Sequence, residues 1–247
     1  MRALHLDHSV TLRDHLPRPE PGPGEALVRV RLAGVCATDL ALTRGYAGGF
    51  RGVLGHEFVG DIEAAADAPG RRGERVVGEI NVACGRCAEC AAGRSGHCRV
   101  REVLGIRGRD GAFAEYLRLP LANLYRVPAS VGDEAAVFTE PLAAAVEVQQ
   151  QLGIRPAQQV LIVGAGRLGQ LLALTLRLTG CDLRVVARHP RQRALLQAAG
   201  IRWIGENAVE RAAADIVVEA TGSPSGFDLA RRAVRPRGTI CLKSTYN

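Results

Sequence analysis

Four cysteines crowd into one short stretch of this chain, Cys84-x2-Cys87-x2-Cys90-x7-Cys98. Thiolates three residues apart on a tight loop can turn inward and share one ion. Zinc accepts the resulting tetrahedron because it imposes no geometric preference of its own. Gly85, Gly93 and Gly96 are expected to supply the unusual backbone angles that such a loop needs. Two other readings compete. An iron–sulfur cluster also takes four thiolates, and cysteines can pair as disulfides. Disulfides between residues three apart are strained, however, and nothing in the chain indicates an oxidising compartment. The spacing favours zinc, and an ion with four thiolates is coordinatively closed, which suits a staple for a weakly cored lobe over 84–98.

The chain has 247 residues, enough for one large domain or two ordinary ones. Its 47% hydrophobic and 23% charged content exclude a disordered or membrane-spanning class. No apolar run approaches the length that spans a bilayer. The opening MRALHLDHSV lacks the basic and apolar regions of a signal peptide, so a cytoplasmic, thiol-reducing location is expected. The net charge of +7 is almost wholly arginine, Lys243 being the only lysine. No like-charge run accompanies it, and aromatics are only 4%, too few for stacking platforms. Nucleic-acid and membrane partners are therefore not expected.

Two textures meet near residue 150. The first half is rich in glycine and short apolar runs, and 26–33, 57–64, 75–80 and 112–119 read as strands. Pro17, Pro19, Pro21 and Pro23 make an early extended loop. The second half alternates strands (159–163, 183–187, 201–204, 215–219, 239–243) with helices (167–179, 191–199, 227–234), the pattern of a parallel sheet with right-handed crossovers. One helix over 134–152 is expected to join the halves, with a boundary at 145/146. The fold class is therefore α/β: an irregular β-rich domain over 1–145 and a Rossmann-type sheet over 146–247. Five strands are countable where a full dinucleotide fold has six, so the second domain reads as incomplete and the chain as C-terminally truncated at Asn247.

Val160-Leu-Ile-Val-Gly164-Ala-Gly166-Arg-Leu168-Gly169 places strand, glycine turn and helix start in order. Gly164 makes the turn, Gly166 admits a pyrophosphate close to the backbone, and Gly169 allows tight helix–strand packing. The acid expected after the next strand is replaced by Ala187, followed by Arg188, His189, Arg191 and Arg193. Loss of that carboxylate removes repulsion against a 2′-phosphate, and Arg188 can pair with one, so NADP is favoured over NAD. Thr221 and Gly222 follow the fourth strand, where the chain nears a cofactor in such sheets. Cys181 and Cys241 read as core residues, and Arg107 and Arg109 beside Asp110 as a solvated loop rather than a substrate mouth.

A second group of possible ligands lies in three separate motifs: Cys36 and Thr38 in GVCATDL, His56 and Glu57 in GHEFVG, and Glu140 in TEPL. One thiolate, one imidazole and one carboxylate would leave a metal position open to substrate, as in a catalytic zinc site. Singly, each has a bland explanation as a core residue or helix cap.

Together these motifs, with GAFAEY and EPLAAA, resemble the medium-chain zinc-dependent alcohol dehydrogenases, particularly the branch of sorbitol, threonine and glucose dehydrogenases. The resemblance runs along the whole chain. It implies that the first domain is a GroES-like barrel, that Cys36, His56 and Glu140 hold a catalytic zinc with Glu57 as an occasional ligand, and that Cys84, Cys87, Cys90 and Cys98 hold a structural one. It also implies that zinc acidifies a bound alcohol or polyol, whose carbon then gives hydride to NADP or NAD in the cleft between domains. Thr38 matches the position that passes the proton outward. The next member of that relay, usually histidine, is Ala41 here, so the proton takes another route. The full-length family members imply a homodimer or homotetramer, and a chain without their final segment is expected to be poorly stable or inactive alone. The remaining alternatives are a truncated non-catalytic paralogue, a redox-responsive zinc module, and a zinc-free quinone or enoyl reductase.

Overall fold

The computed structural model describes residues 1–244. By internal contacts the chain divides into two units, Met1–Glu140 and Pro141–Asn247.

Glycine turns and short apolar runs dictate the first unit. Its strands are β1 (Ala3–Leu6), β2 (Val10–Arg13), β3 (Glu25–Gly34), β4 (Gly52–Val53), β5 (Glu57–Ala64) and β6 (Arg75–Gly78). After them come β7 (Asn81–Val82), β8 (Glu102–Leu104), β9 (Gly108–Arg109), β10 (Tyr116–Pro120) and β11 (Leu124–Arg126). The expected barrel takes the form of a five-stranded sheet, ordered β10-β3-β5-β6-β11, flanked by β2-β1-β4 and β7-β8-β9. Register shifts where β3 pairs with β5 bend this sheet. Inward positions such as Val28, Phe58, Ile62, Leu104 and Leu119 form its core, each side chain contributing about 2 kcal/mol by leaving water. Helix α1 (Ala37–Leu42) follows β3, and α2 (Ala88–Ala91) lies in the cysteine loop.

The single joining helix is instead two, α3 (Asp133–Ala136) and α4 (Thr139–Leu152). Pro141 lacks a backbone N–H and is tolerated only in a first turn, so α4 must start afresh just before it. Contacts accordingly divide the chain at Glu140/Pro141, against the expected 145/146.

In the second unit, β12 (Gln159–Val163), β13 (Asp182–Val186), β14 (Trp203–Ile204), β15 (Ala214–Glu219) and β16 (Val234–Leu242) are all parallel. Their order, β14-β13-β12-β15-β16, is the dinucleotide-fold order 3-2-1-4-5. Helices α5 (Arg167–Leu176), α6 (Pro190–Ala198) and α7 (Pro224–Ala233) connect them. Two apolar clusters cover the two faces of the sheet, one including Ile162, Leu172, Leu176 and Val185, the other Leu161, Val217 and Ala230. Cys181 and Cys241 pack against the first of these as partly buried residues.

Arg109 corrects the solvated-loop expectation. Its side chain is only 10% exposed and pairs with Glu25 and Glu102, each at 2.8 Å, so it ties the small β7-β8-β9 sheet to β3.

Candidate metal centres and dinucleotide site

The loop after β7 turns back on itself through Gly85 (φ +72°) and Gly93 (φ +75°), conformations that L side chains avoid. Gly96 needs no such angle; it sits in a short 3₁₀ turn over 95–97, correcting the expectation for that residue. The turns bring four sulfurs together, with Sγ–Sγ separations of 3.4 Å (Cys87–Cys90), 3.9 Å (Cys87–Cys98) and 4.0 Å (Cys84–Cys90). All seven cysteines are free. A tetrahedron with zinc–sulfur bonds of about 2.3 Å has edges of about 3.8 Å, so the thiols already stand at zinc spacing. A four-iron cluster, whose thiolates cap different irons, requires a wider tetrahedron. The Arg86 and Cys87 amides hold the Cys84 thiol down, to about 6, while burial and neighbouring sulfurs push Cys90 up to about 12. Without a metal the Cys90 thiol keeps its proton, and a dication would let it ionise.

The second group is assembled by strand pairing. Antiparallel register sets Gly34, the last residue of β3, against Glu57, the first of β5. Cys36 follows one strand and His56 precedes the other. The donor atoms of Cys36, His56 and Glu57 consequently lie within 4.8 Å of one another. A Cβ at Gly34 would fall 2.3 Å from Glu57 Oε2, so any larger residue there would push that carboxylate out of its present position. Glu140, half-buried at the start of α4, stands outside this group. Thr38 Oγ1 is 3.7 Å from Cys36 Sγ, and Ala41 offers no titratable group on α1.

Asp39 is the residue that sequence reasoning passed over. It is 3% exposed; its Oδ2 accepts the Cys36 amide at 2.8 Å, and its Oδ1 faces His56 Nδ1 at 3.3 Å. One carboxylate thus accepts from the loop carrying the thiol and stands in charge contact with the histidine ring, the position that outer-shell support of a metal-bound histidine occupies. Its signal in the sequence was its position three residues after Cys36, beside a helix start. Burial lowers the His56 pKa, but Asp39 and Cys36 more than offset this and raise it to about 10. The donor set therefore retains a proton that a divalent cation would displace. One soft sulfur, one imidazole and carboxylate oxygen suit zinc.

In the second unit the glycine turn behaves as its spacing predicts. Gly164 has φ +106° and would clash with Thr221 Cγ2 at 2.7 Å if it carried a Cβ; at Gly169 a Cβ would meet Gly164 O at 2.0 Å. At Gly166, the N-cap of α5, a Cβ would meet nothing within 4 Å, so the backbone is open to a phosphate. Gly164 and Gly166 border a cleft that Arg188, His189, Glu206 and Thr221 also line. Leu168 packs instead into the apolar core. The Thr221 hydroxyl is held by Glu219, a fully buried carboxylate at the end of β15, and by Ser223. Arg193 turns away from the cleft, stacking 4.7 Å over Trp203 and donating to Ala187 O at 3.0 Å. Arg188 is ion-paired with Glu206, a carboxylate the sequence reading did not single out.

Among the described residues, no helix is long and apolar enough to cross a membrane. Residues 22–129 match the alcohol dehydrogenase GroES-like domain family, and residues 160–230, which hold the glycine turn, match the ketopantoate reductase family. An L-threonine 3-dehydrogenase of Streptomyces avermitilis is 38% identical over 87% of this chain and 64% of its own length. The chain spans about two thirds, 64%, of the curated relatives it matches. A structure from Sinorhizobium meliloti 1021, described as a zinc-binding dehydrogenase bound to NADP, superposes with TM-score 0.91, 29% identity and coverage of 99% of this chain and 77% of that one. Alcohol dehydrogenase TADH of Thermus sp. ATN1 superposes with TM-score 0.85 and 31% identity, over 97% of this chain and 76% of its own. Fold, strand order, the two donor groups and these likenesses agree: the chain belongs to the medium-chain zinc-dependent alcohol dehydrogenase family.

Proposed function

We propose that this protein is a zinc-dependent oxidoreductase that moves hydride between an alcohol or polyol, or the matching ketone or aldehyde, and NAD(P). The observation that carries the reading is the grouping of half-buried Cys36 with buried His56 and Glu57, and Asp39 behind them. A zinc-free reductase has no use for that set. Cys36 and His56, with Glu140 and with Glu57 as an alternative carboxylate, would hold the catalytic ion; Cys84, Cys87, Cys90 and Cys98 would hold a second, structural one. When bound, zinc supplies the Lewis acidity that makes an alcohol hydroxyl ionisable near neutral pH, and the nicotinamide supplies the hydride acceptor.

The chain's own residues do the rest. Asp39 keeps the His56 ring turned by its Nδ1 contact, leaving Nε2 as the ligating atom. The Thr38 hydroxyl, 3.7 Å from the Cys36 sulfur, would pass the substrate's proton outward, and with Ala41 in place of a histidine on α1 the proton would continue through a ribose hydroxyl and water. Gly166 admits the pyrophosphate at the start of α5, Gly164 and Gly169 allow the tight turn and packing that place it, and Thr221 borders the cofactor cleft. Lacking a carboxylate at Ala187, the site favours NADP, with Arg188 facing the 2′-phosphate; the NADP in the S. meliloti structure supports this. Free thiols suit a cytoplasmic location, and a homodimer or homotetramer is the proposed assembly, checked by sedimentation.

Metal analysis joined to an alcohol screen with NADP⁺ and NAD⁺ tests the reading. Two zinc ions per chain and alcohol-dependent cofactor reduction are expected. One zinc and no turnover with any alcohol would overturn it.

A further inference from the structure

The rim of the glycine-turn cleft holds a charge pair that the cofactor fingerprint does not include. β13 and β14 run parallel with Val186 opposite Ile204. Continuing that register two residues past each strand sets Arg188 against Glu206, and the two side chains are ion-paired there. Both line the cleft bordered by Gly164 and Gly166. Neither is buried: the side chains are 55% and 40% exposed, so the pair can open without stranding a charge in an apolar medium. Among the described residues, Arg188 is the only arginine lining the cleft; Arg193 is committed to Trp203 and the Ala187 carbonyl.

We propose that Glu206 is a cofactor-specificity residue that holds Arg188 and thereby limits the preference for NADP. The inference rests on the dinucleotide reading above. A 2′-phosphate must take the guanidinium from Glu206 and then sit beside the released carboxylate, whose like charge opposes it. A ribose 2′-hydroxyl meets no such opposition and can donate to the same carboxylate, the role an acid after β13 would otherwise serve. Glu206 thus replaces the missing acid from a different strand, and the pair makes the site tolerant of both cofactors rather than strict for one.

Calorimetric titration of NADP⁺ and NAD⁺ into the protein and into Glu206→Gln, Arg188→Gln and the double variant tests this without reference to turnover. The unaltered protein should favour NADP⁺ by less than about tenfold. Glu206→Gln should tighten NADP⁺ and leave NAD⁺ equal or weaker, raising the preference about tenfold. Arg188→Gln should remove the preference, and adding Glu206→Gln to it should then fail to restore NADP⁺ binding. Both sites are exposed, so melting temperatures should stay within a few degrees. Tight binding of both cofactors with a ratio unmoved by Glu206→Gln would overturn this proposal alone. Failure of the unaltered protein to bind either cofactor would overturn the dinucleotide reading, and this proposal with it.

Discussion

The first unit carries two groups of potential metal ligands, built in opposite ways. Cys84, Cys87, Cys90 and Cys98 come from one loop, and turns at Gly85 and Gly93 close it. Cys36, His56 and Glu57 come from two strand ends and are held by a sheet register and by buried Asp39. With an ion bound, the loop would spend all four of its ligands on it and could only brace the fold. The sheet-built group would leave coordination free, its surroundings rather than its own ligands keeping it in shape. Stability should therefore depend on the first group and chemistry on the second.

Paired ligand variants press hardest on this contrast. Cys98→Ala, at a fully buried sulfur, should lose one zinc per chain and lower the melting temperature of the first unit by about 10 °C. Cys36→Ser should lose the other zinc and reduce turnover by about a thousandfold or more, while melting within a few degrees of the parent. Equal melting temperatures for the two variants would erase the distinction.

The small sheet around the cysteine loop is also tied down by charge, which a second variant tests. Burial raises the Glu25 pKa, but the Gly22 amide, Arg109 and Arg118 lower it further, to a net value below the ordinary 4.5. Because the folded value is the lower one, the unfolded chain binds more protons in that window. The stability is full above about pH 4.5 and is lost as pH falls through the folded value. Arg109→Gln should cost about 3 kcal/mol at pH 7 by leaving Glu25 poorly paired, and the deficit should shrink in acid as Glu25 protonates. Chemical denaturation at pH 7 and pH 3.5 measures both; a deficit independent of pH would assign Arg109 to packing alone.

Smaller effects separate the supports of each group. Asp39→Asn keeps an acceptor for the Cys36 amide but removes the charge facing His56. Affinity for the catalytic-site zinc should fall about tenfold in competition with a chelator, with the four-cysteine zinc unmoved. Gly85→Ala should cost about 1 kcal/mol, because space is open but φ is positive, whereas Gly96→Ala should be neutral. Similar costs at both glycines would mean that loop strain is not what the two positions differ in.

Much of the architecture was legible from local pattern. The parallel sheet, its glycine turn and the four-thiol loop are written in residues close together in the chain, and each requires only one or two turns to form. Elements shorter than a few residues were not legible: β4, β7 and β9 are two residues each and carry no periodicity. The division of the joining helix was readable in principle from Pro141, but the apolar spacing across it hid the break. Arg109 looked solvated because glycine and charge surround it in sequence, while its partners Glu25 and Glu102 lie on other strands.

The sequence by itself determined the ligand chemistry, the βαβ turn and the absence of an acid at Ala187, since side-chain identity and short-range spacing suffice for these. Tertiary structure alone decided that Asp39 stands behind His56, that Glu57 lies beside Cys36 and His56, and that Glu206 engages Arg188. Each of those contacts depends on strand or chain segments meeting in a particular register or fold. One residue of slip in a strand turns every side chain to the other face, so spacing along the chain carries no record of who meets whom.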